Sequence, residues 1–230
     1  MGGGKKTLKH GRYLGYDAYF ANMTMDANLE TWYIENAIDH FDPTLNLTYQ
    51  QRYMVNDRYV SKKHPPNFLF LGGERNLDTT CLEDWKCRTK HLFIGGVGEI
   101  EWDYMAEDFW QWVQWSKDIR ARMYVLEHRY YGDSLPFDDT SVASLKYLQT
   151  EQVLADMAVF INTMNAKTND SNPRWILFGG SYAGNLVAAM RVRYPDLTVG
   201  GIASSAPIQA TVDFWGNPPK HSILLIQSCF

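Results

Sequence analysis

The sequence predicts an α/β fold with a mostly parallel sheet and flanking helices, because short apolar runs alternate with longer stretches of helical periodicity. Two runs, Asn67–Leu71 and Met123–Leu126, are continuously apolar or nearly so, as strands buried on both faces are. A third run, Trp175–Phe178, leads into a glycine-rich turn. The length of 230 residues fits one domain of this class.

The helices are predicted from apolar residues at helical spacing. One stripe, expected to lie against a sheet face, consists of Val153, Leu154, Met157, Phe160, Ile161 and Met164. A second helical pattern between Tyr104 and Arg120 contains the aromatic residues Phe109, Trp110, Trp112 and Trp115. An aromatic ligand-stacking surface is one interpretation of these residues. Core packing is the interpretation we prefer, because helical spacing already accounts for the stripe.

Charge and hydropathy argue against two classes of function. The formal net charge is −4 and the isoelectric point is about 5.8, so no positive field would concentrate nucleic acid. No apolar run approaches the roughly 18–20 residues that a membrane-spanning helix needs. The basic, polar start of the chain shows no secretory signal peptide. We therefore expect neither a nucleic-acid partner nor a membrane span.

Cysteine and histidine spacing indicates no metal site, and we expect no cofactor. If the first two of the three cysteines form a disulfide, the third stays unpaired. The cysteines therefore do not decide between a reducing and an oxidising compartment. These cysteines are Cys81, Cys87 and Cys229.

Sequons mark three candidate glycosylation sites, which favour a secretory route only mildly because such triplets arise often by chance. They are Asn22, Asn46 and Asn169.

Residues 175–186 are the most informative segment, since they have the pattern of a strand, a tight turn and a helix. Ser181 lies in the turn. In an α/β-hydrolase a strained turn of this kind lifts the serine Oγ clear of the sheet, and small neighbours avoid clashes. The small residues here are Gly179, Gly180, Ala183 and Gly184. Ala183 stands where the stricter G-x-S-x-G pattern has glycine. The segment predicts an α/β-hydrolase fold with Ser181 as nucleophile; a turn that only packs tightly or holds a phosphate is the alternative.

The same turn predicts an oxyanion site. The backbone N–H of Tyr182, at the start of the helix, would donate to the negative oxygen of a tetrahedral intermediate. Each such donor is typically worth about 3–4 kcal/mol of transition-state stabilisation. A second donor in this fold comes from the loop after an earlier strand, for which the chain offers Gly72-Gly73 and Gly95-Gly96.

The histidine and carboxylate that activate a serine follow it in this fold, in the order Ser, Asp or Glu, His. After Ser181 only Asp196, Asp213 and His221 are available. Asp196 comes just after the helix and is expected in a solvated loop, while His221 follows Asp213 too closely for each to end its own strand. We therefore expect the acid and base to lie outside this chain.

Several segments resemble the serine carboxypeptidase S28 family. They are Asp39–Asp42, Gln50–Asp57, Leu126–Gly132, Phe178–Leu186, Arg191–Leu197 and Ala203–Pro207. The form Ser-Tyr-Ala-Gly is most similar to the branch that contains thymus-specific serine protease; other branches contain lysosomal Pro-Xaa carboxypeptidase and dipeptidyl peptidase II. The resemblance covers most of residues 32–215. Residues 1–31 are then an N-terminal extension, and residues 216–230 a divergent tail.

The resemblance implies an α/β-hydrolase with a helical cap inserted after the nucleophile region, of which this chain carries the N-terminal portion without the later strands and cap. It implies a peptidase acting on peptides near proline or at chain ends, in lysosomes or outside the cell. Ser181 corresponds to the family's nucleophile, and the family's Asp and His come far downstream. His128 does not correspond to the catalytic histidine, so we expect a structural role at a strand end.

An internal echo indicates an insertion. Phe68–Glu74 resembles Leu92–Ile100, whereas the family has one such strand and loop, so residues 75–97 are interpreted as inserted. Because the Pro65-Pro66-Asn67 entry is similar to the family's, we prefer Gly73 and Glu74 for the second oxyanion donor. An esterase or lipase on the same fold, and a non-catalytic truncated product, are the alternative functions.

Overall fold

A computed structural model describes residues 29–60, 64–71 and 111–209, and within them six strands form one sheet. The strands are β1 (Leu29–Ala37), β2 (Thr48–Asn56), β3 (Asn67–Leu71), β4 (Arg122–Leu126), β5 (Trp175–Gly180) and β6 (Gly200–Ser204). Their spatial order is β1-β2-β4-β3-β5-β6. Strands β4, β3, β5 and β6 are parallel, while β1 and β2 are antiparallel additions beside β4. This mostly parallel sheet confirms the predicted α/β-hydrolase fold class.

Four α-helices connect the described strands. They are α1 (Gln111–Ile119), α2 (Val142–Leu145), α3 (Thr150–Thr168) and α4 (Ser181–Arg193), and a 3₁₀ turn follows at Pro195–Leu197. The stripe predicted from Val153 to Met164 is confirmed on α3, where all six residues are buried. Helix α3 ends where Asn169 adopts a left-handed φ of 48°. None of the described helices is long and apolar enough to cross a bilayer.

The two faces of the sheet bury separate cores, because successive side chains of a strand point to opposite faces. On β3, Leu69 packs with α3 and α4, whereas Phe68 and Phe70 pack with α1. Trp112 of α1 is buried and stacks on Phe70, with ring centroids 5.3 Å apart. The core interpretation of Trp112 is therefore confirmed, whereas Trp115 is partly exposed. Phe109 and Trp110 lie outside the described residues.

Candidate active site

Ser181 occupies a sharp bend between β5 and α4. Strand β5 ends at Gly180, and Ser181 is the first residue of the helix. Its φ is 53°, in the left-handed region that non-glycine residues rarely adopt, and its side chain is exposed. The bend therefore presents a serine hydroxyl at the carboxyl edge of the parallel strands, with strain stored in its backbone.

The small residues around Ser181 are required by close backbone approaches. A Cβ on Gly179 would lie 2.3 Å from the carbonyl oxygen of Ala183, which is itself fully buried. A Cβ on Gly184 would lie 3.0 Å from Ala206 Cβ and 3.1 Å from the Ser204 carbonyl oxygen. Glycine thus lets the first turn of α4 pack against the ends of both β5 and β6.

Tyr182 lies in the first turn of α4, where backbone N–H groups have no partner within the helix. These donors and the helix dipole make the surroundings of Ser181 favourable for negative charge. The residue before the helix, Gly180, provides no side-chain cap. The Tyr182 side chain is half-buried and points toward the end of β4, where its hydroxyl lies 3.3 Å from His128 Nε2.

His128 lies two residues after the end of β4 and is buried, with 3% of its surface exposed. Its Nδ1 lies 2.7 Å from the carbonyl oxygen of Arg129, and the Tyr131 ring stands edge-on, with centroids 5.2 Å apart. Burial lowers the pKa of His128 from 6.5 to about 4. The imidazole is therefore neutral at ordinary pH, which agrees with the expected structural role at a strand end.

Glu127 forms one buried network beside His128. Its carboxylate, fully buried, accepts from Arg52 Nη2 at 2.6 Å and from Arg52 Nε at 3.2 Å. The Ser134 hydroxyl donates to the same carboxylate at 2.7 Å, and the Asp133 N–H at 3.1 Å. Gly132 has a φ of 52°, and a Cβ there would lie 2.0 Å from Glu127 Oε1. The charge is thus fully accommodated, and the loop around it requires glycine.

Arg129 forms a second buried network on the other side of His128. Its Nε and Nη2 donate to the two oxygens of Asp156, each at 2.7 Å, and both side chains are fully buried. Asp156 also accepts from the Tyr49 hydroxyl at 2.9 Å, and His40 Nε2 lies 2.7 Å from it. Burial and the nearby carboxylate raise the pKa of Tyr49 well above its usual range, so this hydroxyl keeps its proton.

The roles of Arg52 and Asp156 were not predicted from the sequence. A signal for Asp156 was present, because it follows Val153 by three residues and precedes Phe160 by four, which places a carboxylate within the apolar stripe of α3. A charged residue at such a position needs a buried partner. The partner itself could not be identified from local sequence, since Arg129 comes from another element.

Some of the other predicted site residues are exposed, and the rest lie outside the described residues. Asp196 is exposed in the 3₁₀ turn, which agrees with the expected solvated position. Asn46 and Asn169 are exposed, as glycosylation would require. Outside the described residues lie Asn22, Gly73, Glu74, Cys81, Cys87, Asp213, His221 and Cys229. Among the residues that the structure describes, no group of three or more His, Cys, Asp or Glu side chains could hold a metal ion.

Comparison with known proteins identifies relatives along most of the chain. A family model described as serine carboxypeptidase S28 matches residues 36–87 and 84–218. A protein of Caenorhabditis elegans named as a serine protease is 39% identical over 188 residues, which is 82% of this chain and 30% of that protein.

Two mammalian relatives give similar values. Mouse thymus-specific serine protease is 34% identical over 79% of this chain and 31% of its own length. Bovine lysosomal Pro-X carboxypeptidase is 34% identical over 76% of this chain and 31% of its own length. The chain therefore spans about 30% of the length of the curated relatives that it matches.

Proposed function

This chain belongs to the serine carboxypeptidase S28 family, and on that premise we propose that it carries the nucleophile, Ser181, of a serine-type peptidase. One observation carries the proposal: the residue is exposed, strained at a φ of 53°, and placed between a buried parallel strand and a helix N-terminus. This is the geometry that holds a nucleophilic Oγ above the sheet.

The proposed reaction is acyl transfer through Ser181. The Oγ attacks the carbonyl carbon of a peptide bond while a histidine removes its proton, and the developing oxyanion accepts hydrogen bonds from backbone N–H groups. Tyr182 supplies one of these donors, and Gly73 or Glu74, after β3, supplies the other. Collapse of the tetrahedral intermediate expels the amine, which takes the proton from the histidine. Water then hydrolyses the acyl-enzyme and regenerates the serine.

The proposed substrates are peptides, cleaved near proline or at a chain end. The support is similarity to relatives whose names include a Pro-X carboxypeptidase. We propose a lysosomal or extracellular location, and two relatives named as lysosomal support the first of these. The exposed sequons at Asn46 and Asn169 are compatible with passage through the secretory route.

We place the catalytic acid and base outside these 230 residues. Asp196 is exposed in the 3₁₀ turn beyond the end of α4, and His128, near the serine, is buried with both ring nitrogens in hydrogen-bond contact. The relatives are about three times as long as the matched region, so most of their length lies outside the match and could hold both residues. The 230-residue chain alone should then hydrolyse peptides negligibly, because a serine without its base loses several orders of magnitude in rate.

The division of the chain is proposed on the same basis. The peptidase portion comprises residues 32–215, with 1–31 as an extension and 216–230 as a divergent tail. Residues 75–97 are proposed as an insertion, and the family match supports this only in that it divides into two segments, which overlap within this range at residues 84–87.

Labelling with a fluorophosphonate tests the nucleophile in a full-length version of the protein. Ser181→Ala should abolish labelling. Ser205→Ala is the matched control, because Ser205 is also exposed, has a φ of 49° and follows the neighbouring strand β6. This control should label like the wild type. Labelling that survives Ser181→Ala would overturn the assignment.

The alternative functions predict other results. An esterase or lipase on this fold would label at Ser181 but would prefer ester to peptide substrates, so assays with both substrates separate these enzymes. A non-catalytic product is favoured by the exposed side chains of Val199 and Ile202 on and beside β6, which in the described residues lack a covering layer. That alternative predicts aggregation of the isolated chain, and a sharp cooperative melt would contradict it.

A further inference from the structure

The hydrogen bonds of His128 define its tautomer. Its Nδ1 lies 2.7 Å from the Arg129 carbonyl oxygen, and a carbonyl can only accept, so Nδ1 carries the proton. Nε2 then has a free lone pair and accepts from the Tyr182 hydroxyl, 3.3 Å away. The two rings also touch, with centroids 5.7 Å apart. Nε2 of this buried, neutral imidazole is therefore a hydrogen-bond acceptor that faces Tyr182, the residue after the proposed nucleophile.

The position of His128 is fixed from both sides. The preceding residue, Glu127, is held by Arg52, and the following residue, Arg129, is held by both oxygens of Asp156. The carbonyl that orients the imidazole belongs to Arg129 itself. Two buried ion pairs therefore hold the residues on either side of His128, and the Arg129 carbonyl oxygen holds the ring itself.

The bend at Ser181 needs such an anchor. A non-glycine residue at a φ of 53° is strained and keeps that conformation only when its surroundings determine it. The helix that begins there has no side-chain cap from Gly180. Tyr182 is the next residue, and its side chain reaches to the fixed imidazole across the end of β3.

We propose that His128 is a positioning residue for the oxyanion site: it accepts a hydrogen bond from the Tyr182 hydroxyl and so holds the first turn of α4 where the Tyr182 N–H meets the developing oxyanion. The inference rests on the proposed function. His128 is not the general base, because both its nitrogens are occupied and the ring is buried. Its low pKa serves this role, because a protonated imidazole could not accept from the hydroxyl.

The experiment uses variants of the full-length protein and a fluorogenic peptide substrate. Tyr182→Phe removes only the hydroxyl, His128→Leu removes the acceptor, and His128→Gln supplies a side-chain oxygen near the place of Nε2. Rates are expressed per active site, counted by fluorophosphonate titration, so that a misfolded fraction does not enter kcat.

Tyr182→Phe and His128→Leu should each lower kcat roughly tenfold to a hundredfold, since small misplacements of catalytic groups cost that much. KM should change less than about twofold, because the interaction acts in the transition state. The double variant should be no worse than the poorer single variant, and His128→Gln should recover most of the loss. This rescue is not expected if His128 only contributes packing.

Two results would overturn the inference. Either kcat per titrated site stays at the wild-type value in Tyr182→Phe, or the losses of the two single variants multiply in the double variant. Failure of the proposed function is recognised separately, because then the fluorophosphonate label would persist in Ser181→Ala. A label that depends on Ser181, combined with an unaffected Tyr182→Phe variant, refutes the role of His128 alone.

Discussion

The bend at residues 179–184 and the strand-end segment at residues 126–132 lie near each other but are built on opposite principles. The bend is strained at Ser181, which is exposed, and the small residues that make it possible are buried. The strand-end segment is buried at residues 126–129 and carries charges there that are paired with distant residues. The difference shows that a strained turn at Ser181 packs beside a segment that buried ion pairs hold in place.

The distances along the chain explain how each region is stabilised. Gly179 and Ala183 are four residues apart, so the tightest contact of the bend lies within one turn, whereas its contact with His128 spans 54 positions. Glu127 pairs with Arg52 across 75 positions of sequence, and Asp156 reaches His40 across 116. The strand-end segment therefore forms only when β2, β4 and α3 have come together.

The largest effect is expected from Asp156→Asn, which leaves the buried charge of Arg129 without its counter-ion. The free energy of unfolding should fall by about 3–5 kcal/mol, as for other buried pairs that lose one partner. Urea denaturation measures this loss.

Asp57→Asn is the control for that loss. Asp57 also pairs with an arginine, at 2.7 Å from Arg122 Nε, but it is half exposed. Its change should cost less than about 1 kcal/mol. Equal losses in the two variants would remove the distinction between a buried support and an ordinary surface pair.

Those distant pairs also explain which parts of the fold could be predicted. Strand β3, the core of β4 and β5, and helix α3 follow from apolar patterns, and the structure confirms them within two residues at the strand ends. Strands β1 and β2 were not predicted, because their buried positions include the polar residues Asn36, Gln51 and Arg52. Their burial depends on partners such as Glu127 that no local pattern reveals.

The candidate site, like the fold, has one part that could be predicted from the sequence and one part that could not. The bend at Ser181 was predicted because strand, small residues and helix follow one another in the chain. Its contact with His128 was not predicted, since it spans 54 positions and depends on the sheet order that places β4 and β5 on either side of β3. The catalytic role of Ser181 stays a prediction until it is tested by labelling.

The second-largest expected effect is a loss of stability at low pH, and it arises at His128 in the strand-end segment. Burial lowers the pKa of His128 from 6.5 to about 4, so the unfolded chain binds this proton at a higher pH than the folded protein. Stability from this group is therefore complete above pH 6.5 and is lost as the pH falls toward 4, by about 3 kcal/mol. Urea denaturation at pH 7 and pH 4.5 measures the loss.

His128→Gln should make that pH dependence shallower, because glutamine does not titrate. If His128→Gln leaves the slope unchanged, acid acts elsewhere in the molecule.

The third effect compares one glycine from each region. Gly132→Ala and Gly179→Ala both introduce a methyl group into a close contact, and each should cost about 2 kcal/mol of stability. Only Gly179→Ala should slow fluorophosphonate labelling of the folded fraction, because its Cβ collides with the backbone of α4. Slower labelling in Gly132→Ala as well would show that the two regions respond as one unit.

The smallest effect lies on β6 and tests whether the sheet is sensitive to any added methyl group. Around Gly200 the described residues leave open space for a Cβ, whereas a Cβ on Gly201 would lie 2.6 Å from Val187 Cγ1 on α4. Gly200→Ala should raise the free energy of unfolding by about 0.5 kcal/mol through the unfolded chain. Gly201→Ala should lower it by about 1 kcal/mol, because α4 must shift to admit the methyl group. Such a shift moves the helix that begins at Ser181, so slower labelling in Gly201→Ala but not in Gly200→Ala would trace the sensitivity to the helix rather than to the strand.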